Sequence, residues 1–221
     1  MLSWLRRTLE SSIGKKMLMA LTGLGLIGFL LGHLAGNLTL FADADGHAFT
    51  AYATALNSNP ALPVIEIGLT LLFLAHIVLA LKVSRENREA RGKGYTLRND
   101  HGARTPGSRS MLITGILVLL FIIVHLVDFR LQKPPIEEMD TLAGMVKTRL
   151  GGTLGFLIYL GAMVPLTLHL SHAFQSALQT LGLNHPKYNG LFKVISIVLA
   201  LVIGLGFATF PLAYFFGGNA S

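Results

Sequence analysis

Apolar residues in this chain gather into five long runs rather than into the short alternating or half-apolar stretches of a water-soluble core. Met17 to Phe41 runs 25 residues without a charge, and Ser110 to Val127 runs 18. Ala61 to Leu81 holds a single charge, Glu66, and Val194 to Phe216 holds none. Leu150 to Leu183 is uncharged over 34 residues, too many for one crossing, so the fourth span is placed at about 150–180 with its end outside the membrane. A helix needs about 20 apolar residues to cross a hydrocarbon core of about 30 Å. The pattern therefore predicts an all-α integral membrane protein, a five-helix transmembrane bundle forming a single domain over 1–221. Continuous runs exclude the alternating strands of a membrane β-barrel. The first run is far longer than a signal-peptide core and no A-x-A-like site follows it, so it is read as a retained helix. Pro60 and Pro63 suit the start of the second helix, and Pro165 falls inside the fourth, where neighbouring helices can satisfy the freed carbonyl. No internal repeat and no low-complexity tract stands out.

The polar stretches between the runs set an orientation. Four basic residues precede the first span, eight lie in 82–109 and two in the last loop, 14 in all, against four on the opposite side. The basic side is cytoplasmic by the positive-inside rule, which places the N-terminus inside and the C-terminus outside. The net charge of +7 is thus topological and argues against a nucleic-acid partner. Composition agrees: 13% of residues are charged, about half the roughly 25% of a soluble domain. The chain has no cysteine, which excludes disulfides, thiolate zinc, iron–sulfur clusters and covalently attached haem.

Candidate chemistry rests on histidine. His47, His101 and His185 fall in loops and are assigned nothing, whereas His33, His76, His125, His169 and His172 fall in the first four spans. A lone histidine inside a membrane is costly enough to be a functional suspect, though as often a structural hydrogen-bonder, but here four consecutive spans each carry one. At 1.5 Å per residue, His33 and His125 lie about 24 and 22 Å from the inner ends of their helices, and His76 about 8 Å. His169 and His172 lie about 14 and 9 Å from theirs. The histidines therefore sort into an outer pair, His33 with His125, and an inner pair, His76 with His169 or His172. Zinc or copper needs three or four ligands, so two imidazoles per level fit a haem iron better. Gly28, Gly32 and Gly36 recur every four residues beside His33, which suits close helix packing or room for a flat macrocycle.

Four segments, in order, carry a resemblance: MALTGLGLIGFLLGHLAGNL, VIEIGLTLLFLAHIVLALK, ITGILVLLFIIVHLVDFR and TLHLSHAFQSALQTLGLNH. Together with five spans and the loop polarity, they resemble the cytochrome b subunit of succinate dehydrogenases and fumarate reductases, in the class with one membrane chain and two haems. The resemblance covers nearly the whole chain. It implies axial ligands at His33, His76, His125 and His169, choosing His169 and leaving His172 in reserve. It also implies two haem b groups, a flavoprotein and an iron–sulfur partner on the cytoplasmic side, and a quinone, often menaquinone, in a bacterial cytoplasmic membrane. Consistent with such a division of labour, the chain shows no dicarboxylate site and no phosphate-binding glycine loop.

Lys82 and Arg149 are candidates for haem propionates, though both positions also suit interfacial snorkelling. Glu66 and Asp128 lie at the level where a quinone would need a proton-handling group. Two other readings share these histidines: a dihaem cytochrome b serving a different quinone-linked dehydrogenase, and a transporter using the histidines as a proton relay. Facing pairs rather than a ladder, and the lack of a repeat, count against the transporter.

Overall fold

The structure is a computed structural model that describes residues 7, 8, 10–89, 106–183 and 185–217, with the backbone alone at 106–109. His101 and the basic residues Arg6, Arg91, Lys93, Arg98 and Arg104 lie outside the described residues. All regular structure among those residues is helical, and five helices are long and apolar enough to cross a membrane. This is a multi-pass membrane protein.

The elements run α1 (Ser12–Leu38), α2 (His47–Asn57), α3 (Leu62–Glu89), α4 (Pro106–His125), α5 (Thr141–Gly151), α6 (Thr153–Thr180) and α7 (Pro186–Gly217). The two short helices, α2 and α5, arise in stretches where the apolar runs predict only loops. Both pack at the same end of the bundle, called here the distal end; the other, where α1 begins, is the basic end. The long fourth run is divided by Gly152, whose extended ψ of 145° ends α5 and starts α6. At 28 residues, α6 is about 42 Å long, longer than the hydrocarbon core, as its excess of apolar residues requires.

Local chemistry explains the ends. Ser11 caps α1 by accepting the Gly14 N–H at 3.0 Å, the standard use of a short hydroxyl before a helix. At the basic end Lys15 of α1 pairs with Glu86 of α3, tying the two helices together. Asp43 accepts the N–H groups of Gly46, His47 and Ala48, which start α2. These bonds, that from Ala48 foremost, hold its carboxyl below the usual aspartate range. A lowered carboxyl contributes stability above its unfolded pKa and loses it as pH falls through the folded one. Acidification is therefore expected to fray α2 first, read as faster hydrogen exchange at His47 to Thr50. In Asp43→Ala the exchange should be fast at every pH. Equal, pH-independent protection in both proteins would refute the cap. Gly46 is fixed twice, by its φ of +84° and by Ala143 of α5, 2.7 Å from where a Cβ would stand, so only glycine fits.

Packing is uneven. α1 packs on α3 and on α6, α4 packs on α6, and α7 lies along α6. The α6–α7 seam is lined by Ser196, Ala200, Gly204 and Ala208, small buried residues four apart. That spacing lets backbones approach where no hydrophobic effect drives association. The Ser196 hydroxyl, fully buried, donates to the Ser171 carbonyl at 2.7 Å. By contrast α1 and α4, and α3 and α6, are not closely packed backbone to backbone. On α3 the side chains of Val64, Ile67, Leu71, Leu74, Val78 and Leu81 are exposed, a continuous apolar surface that suits lipid and not water.

The order span, short distal helix, span occurs twice, as α1–α2–α3 and α4–α5–α6, and the sequence repeats with it. Met19, Thr22, Gly23, Phe29, His33 and Leu34 recur 92 positions later as Met111, Thr114, Gly115, Phe121, His125 and Leu126. The expectation that the chain has no internal repeat is therefore corrected. Six matches scattered over sixteen mostly apolar positions are invisible against a background of Leu and Ile until the structure shows Thr22, Gly23 and Phe29 making contacts equivalent to those of Thr114, Gly115 and Phe121.

Candidate dihistidine sites within the bundle

Two helices that are not closely packed, α1 and α4, bring their histidines together. At the distal level, His33 of α1 and His125 at the end of α4 have ring centroids 5.8 Å apart and ring planes at 86°. A metal held by one nitrogen of each ring, at about 2 Å per bond, puts the centroids about 6 Å apart. The separation thus fits two axial imidazoles on one haem iron. Nδ1 of His125 is buried with no hydrogen-bond partner, whereas buried polar atoms are normally satisfied. The walls are aromatic. Phe29 stacks on His33 at 5.3 Å, and Phe207 stands at 5.6 Å from it. Phe121, Phe129 and Tyr159 surround His125. Phe29 and Phe121 are a repeated pair, each four residues before its histidine and so on the same helix face.

Immediately after His125 the helix widens into a π turn, Leu126–Arg130, closed by the Leu131 N–H on the Leu126 carbonyl at 2.9 Å. Such turns mark functional positions more often than ordinary helix does. Here it turns Asp128 inward, 8% exposed. The Tyr159 hydroxyl donates to Asp128 Oδ2 at 2.8 Å, and Arg149 Nε lies 2.8 Å from the same oxygen. The Arg149 N–H makes no well-directed hydrogen bond, so that contact is ionic. Arg149 is accordingly the partner of Asp128 rather than an isolated cation. Tyr159, which the sequence reading passed over, joins Asp128 to the ring of His125.

At the basic-end level, His76 of α3 and His169 of α6 occupy equivalent positions in the two halves of the chain. Each is seated against the helix of its own half in the same way. His76 Nδ1 is 3.2 Å from Thr22 Oγ1, and His169 Nδ1 is 3.2 Å from Thr114 Oγ1. The neighbouring glycines make room: a Cβ on Gly23 would stand 3.2 Å from the His76 ring, and one on Gly115 3.4 Å from that of His169. The carbonyls of Met19 and Met111 lie beside the two imidazoles in turn. His172 lacks any such contact. Thr22 and Thr114 were missed by the sequence reading; the signal that would have found them is the repeated Thr-Gly eleven and ten residues before His33 and His125.

Other expected residues are placed apart. Lys82 is exposed on α3. Glu66 pairs with Arg130 at 2.8 Å on the surface of the distal end. The glycine stripe divides: an added Cβ at Gly28 or Gly32 meets nothing within 4 Å, but at Gly36 it would meet the Tyr52 ring of α2 at 2.5 to 2.7 Å. Gly36 therefore serves packing, and Gly28 and Gly32 leave the face of α1 beside His33 open.

Among the described residues no group of three or more His, Cys, Asp or Glu side chains could hold a free metal ion. Two nitrogens per level would suffice for an iron whose other four ligands come from a porphyrin. Comparisons with protein-family models, with curated proteins and with solved structures return no match.

Proposed function

We propose that this chain is the dihaem cytochrome b membrane subunit of a succinate:quinone oxidoreductase, relaying electrons between an iron–sulfur partner and a membrane quinone, often menaquinone. The observation that carries the reading is the pairing of His33 with His125 across helices that are not closely packed, with His76 and His169 seated at equivalent positions in the two halves. A haem, when bound, supplies reversible one-electron chemistry. The protein's part is to hold two such groups in line. Thr22, level with His76, precedes His33 by eleven residues, as Thr114 precedes His125, so the two levels are about 16 Å apart. Two sites at that spacing divide a hydrocarbon core of about 30 Å into short steps.

In this reading the basic end faces the cytoplasm of a bacterium and docks the iron–sulfur and flavoprotein subunits, because 14 of the 18 basic residues lie on that side. The dicarboxylate chemistry belongs to those subunits. At the distal end Asp128, held by Tyr159 and Arg149, follows His125 by three residues, at the level where a quinone would be turned over. Glu66, paired with Arg130, is the second carboxylate at that end.

The internal repeat removes one objection to a transporter, since parallel repeats occur in transporters. A facing pair at the distal level, and at the basic-end level two rings each seated on its own Thr-Gly step, still favour haem ligation over a continuous proton ladder. A reduced-minus-oxidised spectrum of the purified protein, a pyridine haemochrome count and a gel of what co-purifies decide between them. Two protoporphyrin haems per chain with a flavoprotein and an iron–sulfur protein are expected. Two haems with other partners would change the dehydrogenase it serves, and no haem would return the histidines to proton transfer.

A further inference from the structure

We infer that Thr22 and Thr114 are positioning residues that hold His76 and His169 in one tautomer, with Nδ1 protonated and the lone pair on Nε2. The argument is a count of hydrogens. A threonine hydroxyl has one hydrogen to donate and two lone pairs to accept with. Thr22 Oγ1 lies 2.9 Å from the Leu18 carbonyl and 3.0 Å from that of Met19. Thr114 Oγ1 lies 2.9 Å from the Ser110 carbonyl and 3.2 Å from that of Met111. A carbonyl oxygen cannot donate, so at these distances the hydroxyl hydrogen must go to the carbonyls, as it commonly does in helices. What remains for the imidazole is an acceptor. Nδ1 of His76 and of His169 must therefore supply the hydrogen to Oγ1, and a neutral imidazole with Nδ1–H has its lone pair on Nε2.

The same arrangement is built independently in both halves of the chain, from Met-x-x-Thr-Gly on α1 and again on α4. The glycine after each threonine admits the ring to the helix surface. The distal pair has no such support: His33 Nδ1 has only the amide nitrogen of Asn37 near it, at 3.4 Å, and His125 Nδ1 has no partner. The two levels are therefore built differently, and only the basic-end pair has its free nitrogen set by an outer hydrogen bond. What that nitrogen binds rests on the dihaem reading; the hydrogen bond does not. Outer partners of metal-bound histidine raise ligand basicity and typically contribute 10–100-fold in affinity.

The test uses Thr22→Val and Thr114→Val, which keep side-chain volume and remove the hydroxyl, with Thr22→Ser and Thr114→Ser as conservative replacements. Thr70→Val is the control, because Thr70 also bonds the carbonyl four residues back, that of Glu66, and faces no histidine. In the full-length protein with its haems, each valine variant is expected to weaken retention of one haem about 10–100-fold and to raise the midpoint potential of that haem. Loss of a basic partner disfavours the ferric state. The other haem and the Thr70→Val protein should be unchanged, and serine should restore both properties. In full-length chain purified without haem, the ¹⁵N shifts of His76 and His169 should report Nδ1–H, lost for His76 alone in Thr22→Val and for His169 alone in Thr114→Val. Wild-type retention, potential and tautomer in both valine variants would overturn the inference. A tautomer change in a protein that never takes up haem would uphold the hydrogen bond and sink the dihaem reading.

Discussion

With two haems bound as proposed, alanine in place of His76 or His169 is expected to remove one and leave the other with its native spectrum, and alanine in place of His33 or His125 to remove the opposite one. That is the expected outcome of pairing across the bundle, and a pyridine haemochrome count falling from two per chain to one measures it. The effect should be close to complete, because two protein nitrogens would supply the protein's ligands at each level and, among the described residues, no third histidine, cysteine or carboxylate completes a group. His172→Ala separates this from a general loss of fold. His172 is three residues from His169, on the same helix face, yet has none of the threonine contact that seats His169. Two haems should survive in His172→Ala. Loss of a haem there, with two retained in His169→Ala, would reverse the ligand assignment. Loss of both haems in every histidine variant would mean the levels are not independent, which contradicts the separate geometry of the two pairs.

The second large effect lies at the distal end, where Asp128 gathers the Tyr159 hydroxyl and the Arg149 guanidinium. Removing one partner of a buried ion pair costs about 3–5 kcal/mol, mainly because the other charge is left behind. Arg149 retains 32% exposure of its side chain, so Asp128→Ala should fall at the lower end of that range. Tyr159→Phe leaves the ion pair and strands only one carboxylate interaction, for which about 1–3 kcal/mol applies. Asp128→Ala is therefore expected to lower the unfolding midpoint more than Tyr159→Phe does. Asp128→Ala combined with Arg149→Met should recover part of the loss, since no unpaired charge remains. Thermal or denaturant unfolding in detergent reads all three. Equal stability of wild type and Asp128→Ala would show that the cluster is solvated and carries no structural load. Because Asp128 follows His125 within one π turn, the same variant should also disturb the haem at the distal level and leave the other intact.

Much of the architecture was legible because membrane insertion is a property of local composition. Charge-free runs, prolines at helix starts and the imbalance of lysine and arginine can each be counted along the chain without knowing any contact. Two levels of histidine were legible for a similar reason: helix rise converts sequence position into depth. The short helices α2 and α5 were not, since each is 11 residues long and below the length at which an isolated helix is stable. They exist through docking, α2 through Tyr52 against Gly36 and α5 through its buried Leu142, Ala143, Val146 and Leu150.

The repeat shows the boundary between the two kinds of information. Met19, Thr22, Gly23 and His33 recur as Met111, Thr114, Gly115 and His125, but in apolar helices such matches carry little weight alone. They acquire meaning only when Thr22 is found on His76, 54 residues away, and Thr114 on His169, 55 residues away. Sequence by itself determined the five apolar spans and the multi-pass character of the chain, because hydrophobicity is additive along one chain segment. Tertiary structure alone decided which helices stand apart, that Thr22 and Thr114 meet Nδ1 of His76 and His169, and that Asp128 belongs with Tyr159 and Arg149. Those are relations between side chains on different helices, set by how small residues such as Gly23, Gly115 and Gly204 let particular backbones close on one another.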